Sequence, residues 1–350
     1  MSALPPDVVP GSMLARYWDA PVSRLVEPPT HQISVDEAER LTIASLVVMA
    51  LIDGYWNGNK SGALGRYPWR ENQRVEDGRY AGDALGDRYL GHNIACIAVD
   101  ENGSILDFEF NHNEIFNSSA EHAEARLIRR LFLLNQSYND WQRFDAEQAE
   151  FVKYGNTMNG VTIYTSLESC AQCSGMMTLA ACGRVVYLQT DPGQYRVGNI
   201  LYNLSKPPPA STTHPTVVAR PHPAPKYWAP EPMAAAAFGF GPMEELDRAY
   251  LAFVAGVQSD PTSRYFFESP GGKRDQSSSI TSFLCTDAAR AVYSRAASAL
   301  ASLSLAQPDY RPPRSDGQRE GVRSNGEMLD HARRFVRHAL VEARRGTPHH

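Results

Sequence analysis

Two short fragments, far apart in the chain, each fall where a helix should begin, and each carries metal-seeking side chains. The first is Glu121-His122-Ala123-Glu124-Ala125 and the second is Leu167-Glu168-Ser169-Cys170-Ala171-Gln172-Cys173. The second follows directly on residues 161–165, a β-branched run that predicts a strand. If both fragments serve one ion, an imidazole and two sulfurs must meet at a single point. That requirement restricts the fold more than any other feature of the sequence.

The residue types suit such a point. Zinc prefers thiolate sulfur and imidazole nitrogen, and catalytic sites keep one position for water. His122, Cys170 and Cys173 supply three ligands and leave the fourth open. Both thiols fall in the first turn of a predicted helix, where exposed amides and the dipole favour thiolate. An ion held this way lowers the pKa of a water in its open position toward neutrality. A carboxylate beside it can then shuttle protons, and Glu124 is the candidate. Residues two apart on a helix normally point to opposite sides, so Glu124 reaches the ion only if the cleft sits at the helix tip.

Around these fragments the chain alternates helix and strand. Residues 35–56 read as a helix with Asp36, Glu37 and Glu39 in its first turn and a stripe of Leu41, Ile43, Leu46, Val47, Ala50 and Leu51. Residues 92–99 and 105–110 read as two strands around the Asn102-Gly103 turn, a hairpin signal. Helices follow at 121–134 and 170–182, with strands at 161–165 and 185–188. This order predicts an α/β fold. Residues 57–89 read as a long loop without clear period. Residues 206–242 hold ten prolines and read as an irregular insertion, lid or linker. Helices at 242–257, 286–305 and 325–345 close the chain.

Five cysteines in 350 residues are too few for a disulfide framework and suit a reducing compartment. No basic region followed by an apolar run opens the chain, and the longest apolar stretch, 41–52, is too short to span a bilayer. These features predict a cytoplasmic protein with no membrane partner. The net charge of −5 supplies no overall basic excess for phosphates, although a local patch stays open.

His122-Ala123-Glu124 followed by Ser169-Cys170-Ala171-Gln172-Cys173 resembles the His-x-Glu and Pro-Cys-x-x-Cys signature of the cytidine-deaminase-like zinc deaminases. The flanking Thr165-Ser166-Leu167-Glu168 and Gly183-Arg184-Val185-Val186-Tyr187 look most like the branch of tRNA adenosine, guanine and deoxycytidylate deaminases. The resemblance covers roughly residues 35–190. It implies a three-layer α/β/α fold, a mixed sheet flanked by helices, with Zn2+ between two helix N-termini. It implies Glu124 as proton shuttle and Asn111 and the backbone of Ala123 as substrate contacts. Two departures stand out. Ser169 replaces the family's proline, and serine can cap that helix instead through its hydroxyl. The stretch between His122 and Cys170 is also longer than in small members, which predicts an extra turn or helix within 135–159.

The domain reading is therefore an N-terminal extension at 1–34 and a zinc deaminase core at 35–205. The Pro-rich segment at 206–242 and a C-terminal helical segment at 243–350 packing on the core complete it. The function reading is hydrolytic removal of an exocyclic amine from a nucleobase-type small molecule, with homo-oligomerisation left open. The alternatives are a deaminase acting on a base within RNA or DNA, and a non-catalytic zinc-stabilised binding module. Arg126, Arg129 and Arg130, with Arg66 and Arg70 of the segment Arg66-Tyr67-Pro68-Trp69-Arg70, would favour nucleic acid if they lined the cleft. Arg333, Arg334, Arg337, Arg344 and Arg345 read as a solvated helix face. Glu168 reads equally as a substrate or outer-shell contact and as a turn residue. Cys182 lies about 13 Å along the helix from Cys173 and is excluded as a fourth ligand. Cys96 and Cys285 read as packed thiols.

Overall fold

The computed structural model describes residues 18–19, 21–56, 92–112, 119–144, 158–205, 229–259, 267–268, 274–275, 279–315 and 317–341; within 134–144, 267–268 and 274–275 it describes the backbone alone. The 57–89 loop with Arg66–Arg70, most of the proline-rich segment, and Arg344 and Arg345 lie outside the described residues.

The principal elements in chain order are α1 (Val35–Gly54), β1 (Ala95–Val99), β2 (Ile105–Phe110), α2 (Ala123–Phe144), β3 (Thr162–Thr165), α3 (Ala171–Leu179), β4 (Arg184–Tyr187), α4 (Val197–Ser205), β5 (Glu231–Ala234), α5 (Gly241–Ser259), α6 (Asp287–Ser302) and α7 (Asn325–Leu340). Five strands form one mixed sheet in the order β2-β1-β3-β4-β5. β1 runs antiparallel to β2 and β3, whereas β3, β4 and β5 run parallel. The expected three-layer α/β/α architecture is the one observed.

Side chains of β2 show how the layers are sorted, since successive residues face opposite sides of a sheet. Asp107 and Glu109 point to α2, where they meet Arg130 and Arg126. Phe108 and Phe110 point the other way, toward Tyr55 just past α1, and Phe108 also meets Phe335 of α7 edge to face at 5.9 Å. α2, α3 and α4 thus share one face and α1 covers the other.

α1 starts at Ser34, whose side chain accepts from the Glu37 N–H at 3.1 Å. From Leu41 to Ile52 all but Thr42 are buried. A helix of that kind needs partners all round rather than on one stripe. The sheet covers one side, and α6 and α7 pack on the other. α7 opens with a capping box between Ser324 and Glu327. Its His331 Nε2 accepts the Ile105 N–H at 3.0 Å, closing a backbone donor on edge strand β2. Arg333, read as part of a solvated face, instead donates to the carbonyls of Leu300, Ala301 and Leu303 where α6 ends.

Two elements depart from the sequence reading. β5 falls in the stretch read as irregular from its prolines, yet it pairs with β4 along its whole length. It is the outermost strand of this sheet, and an edge tolerates Pro232 because one side of its backbone owes no ladder bond. α4 was not expected at all. α2 also runs to Phe144, past the point where its sequence periodicity fades, and so takes up the start of the long stretch before Cys170.

The ionic rungs between β2 and α2 make one stability prediction. Burial pushes the Glu109 carboxyl up to about 7, with Arg126 opposing. Between the ordinary glutamate range and about 7, the folded chain holds a proton that the unfolded chain releases. Stability therefore falls as pH rises across that window and levels off above it. Denaturant unfolding at pH 5 and pH 7.5 should show Glu109 contributing a loss of about 1–3 kcal/mol. Glu109→Gln should shrink the difference between the two pH values by that amount; an unchanged difference would refute the assignment.

Candidate metal centre

The site lies where α2 and α3 begin, beside the C-terminal end of β3. His122 immediately precedes α2, and its carbonyl accepts the first helical bond, from the Arg126 N–H at 3.0 Å. Cys170 is the N-cap of α3, with extended backbone and no cap bond from its side chain; Cys173 lies in the first turn and is buried. The two helix starts are tied together by Gln172, whose Nε2 donates to the Ala120 carbonyl at 2.9 Å.

This placement brings the three candidate ligands together. His122 Nδ1 lies 3.3 Å from Cys170 Sγ and 3.6 Å from Cys173 Sγ, and all three ligand atoms fall within 4.8 Å of one another. One imidazole and two thiols at such spacing fit Zn2+ with a coordination position left over. Among the described residues no other group of three His, Cys, Asp or Glu side chains forms such a cluster. Cys96, Cys182 and Cys285 are buried free thiols outside it.

The electrostatics favour a thiolate. The Cys170 thiol is brought down to about 4, chiefly by the bond from Cys173 and then by His122, against the effect of burial. Cys173 is pushed up by Cys170 and by burial. His122 is raised, first by its contact with Cys170. The three groups thus share protons that a dication would displace.

Glu124 stands beside the ligands, buried with 4% exposure. Its Oε2 accepts from the Cys173 thiol at 3.4 Å. The helical rule that sends residues two apart to opposite sides does not act here, because His122 precedes the helix and Glu124 sits in its first turn. The ligand cluster is at the helix tip, the one arrangement in which the pair can converge. Oε1 of Glu124 accepts from Thr165 Oγ1 at 3.1 Å and from Ser169 Oγ at 3.3 Å. Burial holds the Glu124 carboxyl above its ordinary range.

Ser169 differs from its expected role. It does not cap α3; Cys170 does, and the Ser169 hydroxyl is spent on Glu124. Asn111 and Ala123 are both at the site and are bonded to each other, Asn111 Oδ1 accepting the Ala123 N–H at 2.8 Å. The Glu168 carboxylate meets backbone instead: its Oε2 accepts the Asp191 N–H at 3.1 Å and pins the loop after β4. Thr165 was not foreseen; the only signal for it was its place at the end of the β-branched run.

The arginines of α2 do not form a free positive rim. Arg126 pairs with Glu121 at 2.5 Å and Glu109 at 3.3 Å, Arg129 pairs with Glu121 at 2.9 Å, and Arg130 pairs with buried Asp107. Such pairing leaves little charge for phosphates.

Residues 81–189 match the zinc-binding region of the cytidine and deoxycytidylate deaminases. No curated protein matches the chain. Among solved structures, a chain from a study of A-to-I editing by tRNA:A34 deaminases at the wobble position of transfer RNA is 21% identical, over 41% of this chain and 82% of that one, with a TM-score of 0.24. A likeness that loose adds nothing to the strand order and the site geometry.

Proposed function

We propose, from the match of residues 81–189 to the zinc-binding region of cytidine and deoxycytidylate deaminases, that this chain is a zinc-dependent deaminase that removes an exocyclic amine from a nucleobase-type small molecule and releases ammonia. The observation that carries the reading is the convergence of His122, Cys170 and Cys173 with a buried carboxylate, Glu124, 3.4 Å from one of the sulfurs.

In this reading His122, Cys170 and Cys173 hold Zn2+, whose Lewis acidity makes water nucleophilic near neutral pH. Glu124 accepts a proton from the attacking water and passes it to the ring nitrogen next to the amine-bearing carbon. The carbon–oxygen bond forms and the carbon becomes tetrahedral. Glu124 then transfers the second water proton to the amine, the carbon–nitrogen bond breaks, and ammonia leaves behind a carbonyl. A carboxyl that burial holds above its ordinary range takes a proton more readily than an exposed one, which suits the carrier of this task. Asn111 and Ala123 border the ring as one bonded pair, with the Asn111 amide nitrogen available to meet a ring edge.

The paired arginines of α2 favour a small substrate over a base within a nucleic acid. Five free cysteines, too few for a disulfide framework, support the cytoplasmic reading; no helix among the described residues is long and apolar enough to cross a membrane. The test is an ammonia-release screen with the zinc-loaded full chain over free bases, nucleosides, nucleotides and short oligonucleotides. Release from a member of the first three groups is expected. Release from oligonucleotides alone would overturn the small-molecule assignment, and release from none would overturn the reading.

A further inference from the structure

We infer that Thr165 and Ser169 form a paired anchor that fixes which oxygen of Glu124 faces the metal ligands. The inference rests on the deaminase reading above, in which Glu124 moves protons. The terminal torsion of a glutamate is broad and nearly two-fold, so an unrestrained carboxylate turns freely and exchanges its oxygens. Here the symmetry is broken. Both hydroxyls donate to Oε1, at 3.1 and 3.3 Å, while Oε2 alone lies toward Cys173.

The anchor is built from three elements. Thr165 ends β3, Ser169 precedes the N-cap of α3, and Glu124 lies in the first turn of α2. All three side chains are buried, with Thr165 at 0%, Ser169 at 5% and Glu124 at 4% exposure. An ionised carboxylate only accepts, so each hydroxyl hydrogen must point at it. A buried hydroxyl that lost this acceptor would leave its donor unmet, which opposes any swing of the carboxylate. Oε1 is thereby filled, and Oε2, on the side of Cys173, is the oxygen left to carry the proton in transit.

Neither hydroxyl makes a described bond to the side chains of His122, Cys170 or Cys173, so both act only through Glu124 and are positioning residues. Proline at position 169, as in the signature this chain resembles, offers no donor at all. The serine here adds a second hydrogen bond to the carboxylate, in place of the pre-set helix start that proline provides.

The test uses crystal structures of the zinc-loaded full chain as wild type, S169A, S169P and T165V/S169A. The wild type should show both hydroxyls on one oxygen of Glu124. The double variant should show the carboxylate turned or split between orientations, with zinc still near one per chain. If Glu124 keeps its orientation in the double variant, or either hydroxyl points elsewhere in the wild type, the inference is overturned. Turnover supplies an independent readout. S169A and T165V should each lower kcat about tenfold with little change in KM, as loss of one charge-assisted hydrogen bond implies, and S169T should recover most of it. A rise in KM at constant kcat would assign the hydroxyls to substrate binding and overturn positioning. These outcomes are separable from failure of the deaminase reading, because the carboxylate orientation is read without any substrate.

Discussion

Glu124→Gln should reduce kcat by about 10²–10⁴-fold while bound zinc stays near one per chain. The amide nearly matches the carboxylate in shape but cannot accept and return a proton. It can still receive the Thr165 and Ser169 hydroxyls through its oxygen, so the fold around it should persist. Ammonia release and metal content measured on one preparation decide the matter. Turnover close to wild type would remove Glu124 from the chemistry. Loss of both activity and zinc would instead make it a structural support of the cluster. The same variant separates an enzyme from a zinc-stabilised binding module, because a module loses nothing when the proton carrier is disabled.

Cys173→Ala should abolish stoichiometric zinc binding and lower thermal stability. Cys173 is fully buried at the start of α3, with Cys170 and His122 around it. Removing its sulfur leaves two protein ligands where a catalytic zinc site needs three. An ion bound only by the folded chain contributes about 4 kcal/mol when free metal exceeds its dissociation constant a thousandfold. Wild-type protein should therefore melt at a lower temperature after chelation, whereas the variant's melting temperature should not respond to chelator. A variant retaining one zinc per chain would show that the ion sits elsewhere.

The meeting of His122, Cys170 and Cys173 was legible in the sequence because each of its parts depends on local rules. His122 and Cys170 fall at helix starts that are readable from flanking residues, and Cys173 lies in the turn that follows. What the sequence hid depends on contacts between distant segments. The hydrogen bonds from Thr165 and Ser169 to Glu124 span 41 and 45 residues, and no spacing rule announces them. The serine was visible as a departure, but its local capping propensity pointed to the wrong partner. In the same way, the prolines around β5 outweighed its pairing with β4, because proline statistics describe sheet interiors better than edges. The two-sided burial of α1 was half visible. Its inner stripe could be read, whereas the outer cover supplied by α6 and α7 comes from residues some 250 positions later.

β5 carries a practical consequence. The stretch that matches the deaminase zinc-binding region stops at 189, yet the flank of β4 is closed by residues 231–234. Cutting the protein back to the recognisable part would strip that flank and leave a row of bare amides and carbonyls. Such a row recruits strands from other molecules. A shortened version should precipitate through its raw margin even with every metal ligand in place, so the tail is what keeps the zinc-binding part from sticking to itself.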